Sequence, residues 1–174
     1  MKLLSSAGLA ACVIALAATS PMASAQSSAA GFRIAADTVT SGNNPGVQGV
    51  PCVNETVFFP GEVVVFRAVI ADGATGAPLT QADVAGRGIE AIVTTSEGRN
   101  IPMRFGMHPP PQAVPNAPRR SPYWSGTMPI SKDHPTGSLP WSITVTDKAG
   151  QKTTYSPIGQ DAGVSVLTIA TPKS

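Results

Sequence analysis

From residue 62 onward, clusters of Gly, Pro, Asn, Asp and Ser interrupt the chain roughly every 8 to 12 residues, and the stretches between them are rich in Val, Ile, Thr and aromatic side chains. Segments that short leave little room for helices and fit strands of about five or six residues. Within them the period is two. Ile89, Ala91 and Val93 alternate with Glu90, Ile92 and Thr94, and Ile101, Met103 and Phe105 with Pro102, Arg104 and Gly106. Trp141, Ile143 and Val145 alternate in the same way with Ser142, Thr144 and Thr146. Successive side chains of a strand point to opposite faces, so each run buries one face and wets the other.

The turn Ser96-Glu97-Gly98-Arg99-Asn100 predicts a hairpin between the first two runs, and Asp147-Lys148-Ala149-Gly150 predicts another leading into residues 152–155. A β-branched run at residues 63–70, a strand at 123–130 and a last one at 164–169 complete the set. A single alternating sheet leaves an apolar face in water, whereas two sheets about 10 Å apart close off a common core. The expected fold is therefore all-β, an antiparallel sandwich of about seven to nine strands. Its expected core is Val63, Val65, Phe66, Val69, Ile89, Ala91, Val93, Phe105, Trp124, Trp141, Ile143, Val145, Val166 and Leu167. The sandwich is expected over residues 62–174, preceded at residues 26–61 by a flexible leader with a first strand at 32–39. No segment shows sustained helical periodicity.

The 174 residues include 17 Gly and 17 Pro, with 12 Lys plus Arg against 10 Asp plus Glu, a formal net charge of +2. Charge that small and scattered builds no basic face for nucleic acid. The same composition argues against a helical bundle, a coiled coil, a charged disordered tail or a disulfide-rich miniprotein.

Met1-Lys2, the apolar run at residues 7–18, Pro21 and the small residues Ala23-Ser24-Ala25 have the layout of a signal peptide over residues 1–25, cleaved before Gln26. An apolar run of about 12 residues is short of the ~20 that span a bilayer. The mature chain is thus expected in the periplasm or secreted, with no transmembrane segment. Leu9-Ala10-Ala11-Cys12 resembles a bacterial lipobox, but the apolar run continues to Leu16 and leaves Cys12 inside the inserting segment, which disfavours lipid anchoring. Cleavage leaves Cys52 alone, so no internal disulfide is expected; the thiol is buried and inert, paired between chains, or a ligand.

Residues 63–72 (VVVFRAVIAD), Thr75-Gly76, His134-Pro135-Thr136-Gly137 and residues 143–150 (ITVTDKAG) together resemble bacterial immunoglobulin-like domains of exported proteins. The resemblance spans residues 62–170 and rests mainly on β-turn chemistry. It implies an immunoglobulin-like β-sandwich with an adhesive, spacer or binding role, and it brings no catalytic residues.

Residues 108–122 (HPPPQAVPNAPRRSP) depart from a minimal sandwich: dense in proline and without periodicity, they predict an extended loop of polyproline character. Such a loop is either a tolerated insertion or a semi-rigid arm that docks on a protein partner in the cell envelope. In the second reading Arg119 and Arg120 offer bidentate contacts to carboxylates, with Tyr123 beside them. An alternative is copper. Met107, His108 and His134, with Met103, Met128 or Cys52, are the thioether, imidazole and thiolate types that select it. No tight metal motif accompanies them, Met103 shares the apolar side of its strand, and zinc would need three or four converging ligands.

Catalytic readings find less support. There is no Gly-x-Ser-x-Gly elbow, and no strand, spaced-glycine and helix sequence around Gly86-Arg87-Gly88 to cradle phosphate. Asp72, Glu97, Asp133, Asp147 and Asp161 sit in turns, where such side chains cap their own backbone. The expectation is a non-catalytic, exported binding or accessory module, with no cofactor unless copper.

Overall fold

A computed structural model describes residues 31–42, 44, 53–108, 121–160 and 166–171. The expected signal peptide, Cys12, Cys52, Arg119, Arg120 and most of the proline-dense stretch lie outside the described residues. In chain order the elements are β1 (Phe32–Thr40), β2 (Val57–Phe58), β3 (Val63–Asp72), α1 (Gln81–Arg87), β4 (Glu90–Thr95), β5 (Asn100–Pro102), β6 (Arg104–His108), β7 (Ser121–Pro129), β8 (Gly137–Ser138), β9 (Trp141–Thr146), β10 (Lys152–Tyr155) and β11 (Thr168–Ile169). Among the described residues no helix is long and apolar enough to cross a membrane.

The protein is mostly β. One four-stranded antiparallel sheet runs β1-β3-β7-β6 and a second runs β10-β9-β4-β5. A small third sheet, β2-β11-β8, pairs β11 parallel to β2 and antiparallel to β8. The inner faces of the two larger sheets share one core. Phe66 of β3 meets Trp141 of β9 edge to face at 5.2 Å, and Val64, Ile143, Val93 and Met128 are fully buried around them.

The alternating runs at β4 and β9 place their apolar side chains inward as the periodicity predicts, with burial alternating along both strands. In β3 Phe66 is buried as expected, but Val63, Val65 and Val69 of the expected core lie on the opposite face. Val64, Phe66, Ala68 and Ile70 point in, whereas Val63 and Val65 are half-buried and Val69 is 38% exposed. Apolar residues in unbroken succession carry no phase of their own; Arg67 sets it, because the opposite register would turn its charge into the core. Phe105 and Val166 of the expected core are only partly buried against it.

The predicted hairpin partner of β4 is split between the two sheets. Asn100–Pro102 pairs with β4, Met103 donates its N–H to Ala91 at 2.8 Å, and from Arg104 the chain pairs with β7 instead. The bend passes over Gly126, where a Cβ would stand 3.1 Å from the Ile101 side chain. The strand expected at 32–39 within the leader pairs, as β1, with β3 from Phe32↔Asp72 to Thr40↔Val64.

One short helix, α1, ends at Gly86-Arg87-Gly88, and the element that follows these glycines is the strand β4. Thr80 caps its first turn, accepting from the Asp83 N–H at 3.2 Å while the Asp83 carboxylate accepts from the Thr80 N–H at 2.9 Å. Gly88, at φ 58°, closes its last turn in the left-handed region that glycine enters freely. From that end Arg87 reaches Asp72 at 2.9 Å and Asp147 at 3.1 Å, donates to Gln151 at 3.1 Å, and lies 5.0 Å from the centre of the Phe32 ring. Each aspartate caps its own turn with one oxygen, as expected, and gives the other to Arg87.

Candidate binding face

The outer face of β1-β3-β7-β6 is built by the odd-numbered residues of β1, β3 and β7 and the even-numbered residues of β6. Arg67 stands near its middle, in register with Asp37 on β1 and Ser125 on β7, and Ser125 is in register with Arg104 on β6. The Arg67 guanidinium holds Asp37 in a two-pronged ion pair at 3.0 and 2.6 Å, and it also reaches the Asn54 side chain at 2.8 Å. It lies 5.5 Å from the centre of the Tyr123 ring, within cation–π range.

On its other side Tyr123 meets the His108 ring at 5.9 Å, tilted by 47°. Partial burial, and then the positive charge of Arg67, hold the His108 imidazole below its usual proton affinity. The short side chain of Ala35, beside Val69, leaves a shallow hollow of about 280 Å³ walled by Tyr123, Arg67 and Asp37. Enclosed small-molecule pockets run from about 300 to 1,000 Å³. This hollow is open and below that range.

Tyr123, a predicted contact residue, is thus central to the face. The last pair of the β6–β7 ladder is His108↔Ser121, so the proline-dense stretch leaves and re-enters the sheet at this margin. Arg119 and Arg120 lie outside the described residues.

The expected Met107, His108 and His134 set does not come together. Met107 and His108 are successive residues of one strand and point to opposite faces, and Met107, 44% exposed, is in register with Pro122. His108 pairs at the start of β7, whereas His134 follows the strand's other end; at about 3.3 Å per residue, β7 alone separates those ends by roughly 26 Å. Met103 and Met128 are buried in the core. Among the described residues no group of three His, Cys, Asp or Glu side chains is placed to hold a metal ion.

Asp37, Asn54 and the stacking role of Arg67 are not legible from the sequence pattern. A lone arginine inside an apolar strand was a visible signal of something on the outer face, but its partner lies 30 residues earlier.

No family model matches the chain, and no curated protein matches it. Among solved structures it is similar to a DUF4426 family protein from Pseudomonas aeruginosa PAO1, at 18% identity over 72% of this chain and 84% of that one, with a TM-score of 0.37. It is also similar to AvmM, which catalyses macrocyclization in alchivemycin A biosynthesis, at 10% identity over 81% of this chain and 90% of that one, with a TM-score of 0.28. Neither likeness carries an activity over to this chain.

Proposed function

We propose that the chain is an exported, non-catalytic binding module with an immunoglobulin-like sandwich, which contacts a protein of the cell envelope through the outer face of β1-β3-β7-β6. The fold reading is supported by strand order. With β1, β3, β4, β5, β6, β7, β9 and β10 taken as A, B, C, C′, D, E, F and G, the two larger sheets run A-B-E-D and G-F-C-C′. Export is supported by the layout of residues 1–25.

The observation that carries the binding reading is the cluster of Arg67, Tyr123 and His108 on a half-exposed sheet face. Tyr and Arg are the side chains most often found as energetic anchors of protein interfaces, because each presents a large rigid surface with a polar edge. Arg67 is oriented in advance by Asp37 and Asn54, so little of its side-chain freedom remains to be lost on contact. The proline-dense sequence at residues 109–120 is expected to add a second contact element.

A photo-crosslinking residue in place of Tyr123 is expected to trap an envelope protein in living cells, whereas the same residue in place of Thr154, on the outer face of the second sheet, is expected to trap none. Equal yields at both positions, or no adduct at either, overturn the reading.

A further inference from the structure

His134 lies in the loop between β7 and β8 with only 7% of its side chain exposed, although the loop itself is at the surface. Its Nδ1 is 2.8 Å from the Pro135 carbonyl oxygen. Its Nε2 is 3.1 Å from one carboxylate oxygen of Glu97, in the β4–β5 turn, and 3.2 Å from the other. Neither a carbonyl nor an ionised carboxylate has a hydrogen to give. A neutral imidazole owns one N–H, so it satisfies one of these contacts and sets a lone pair against an oxygen at the other. Both contacts are hydrogen bonds only when the ring carries two protons.

We propose that His134 is a proton-operated clip. The imidazolium ties the loop at residues 131–136 to the β4–β5 turn through Glu97, and loss of one proton releases that tie. This goes beyond the binding reading and does not rest on it.

The direction follows from the proton count. The closed form holds one proton more than the open form, so lowering the pH favours closure. From the turn of Glu97, Arg99 is engaged elsewhere, donating to the Pro129 carbonyl at 3.2 Å. In the loop itself Lys132 and Asp133 precede the ring; the Asp133 carboxyl, kept below its usual range first by the Ser131 side chain, adds attraction for the ring's charge.

Backbone bonds that do not titrate bracket the clip: Ser96 donates to Pro140 at 2.8 Å and Gly61 to Ile130 at 3.0 Å. What the proton controls is therefore the loop and not the sheets behind it. A loop that tightens in acid would give an exported protein a response to the pH of its surroundings.

The test is ¹⁵N NMR of the histidine rings in the folded chain at about pH 5.5 and about pH 8, together with amide exchange corrected for its intrinsic pH dependence. At the lower pH both His134 ring nitrogens are expected to bear hydrogens, and amides at residues 96–99 and 132–134 to exchange several-fold more slowly than at the higher. His134→Gln and Glu97→Gln are each expected to abolish that difference while leaving amide protection in β4 and β9 unchanged. A ring with a single N–H at the lower pH, or a difference in loop exchange that survives in both variants, overturns the proposal.

Discussion

Val64 and Val65 are identical side chains with opposite surroundings, one fully buried against the facing sheet and the other half-buried on the outer face. Nothing in either residue distinguishes them; the parity of the strand does, and Arg67 sets the parity. Val64→Thr, which places an uncompensated hydroxyl in the core, is expected to cost about 1–3 kcal/mol in urea unfolding, and Val65→Thr well under that. Equal losses would refute the phase. The same parity separates Met107 from His108, so neighbours in sequence that look like a pair of ligands never share a face. Trp141 shows the converse case, where composition and alternation sufficed. It packs 5.2 Å from Phe66 and 6.0 Å from Tyr155, and Trp141→Ala is expected to cost about 3–5 kcal/mol, read from the same unfolding curves.

At the scale of elements, what was legible had local causes. β4 and β9 follow from alternation bounded by turn residues, and β10 from the turn that precedes it. The helix was written in the sequence as well, but in caps instead of periodicity: seven residues are too few for a hydrophobic stripe, whereas Thr80, Asp83 and Gly88 carry the start and stop. Thr80→Ala is accordingly expected to destabilise the fold by about 1 kcal/mol, measured as a lowered denaturation midpoint. The switch of sheets at Met103 had no local signature, because an apolar side chain inside a two-residue alternation looks the same whether its strand continues or crosses over. The two-residue strands β2, β8 and β11 are held by pairing across long stretches of chain, which no window of residues reports. The candidate face was half legible for the same reason: Tyr123 was visible in its strand, and the Asp37–Arg67 pair that supports it arises only when β1 lies beside β3.

At the scale of the molecule, Arg87 joins the helix to two turns from distant parts of the chain. The Asp72 carboxyl is held below its ordinary 3.8 first by the Thr75 N–H and then by Arg87. Burial opposes the charge on Asp147, but Arg87 and the Gln151 and Ala149 N–H groups outweigh it and keep that carboxyl low as well. Groups lowered in this way stabilise the fold above the ordinary carboxylate value and cease to do so as the pH falls through their lowered values. Chemical unfolding followed from neutral to strongly acidic pH is expected to show stability falling below the ordinary aspartate value of 3.8, with a flatter acid limb in Arg87→Met. The first strand is also fastened to the last hairpin, where the Phe32 N–H donates to the Thr153 hydroxyl at 2.9 Å across 121 residues. Such closure has an order in time. A chain made from its N-terminus can pair β1 with β3 early, but the sheet margin at Phe32 stays unsealed until the β9–β10 hairpin, 121 residues on at Thr153, arrives.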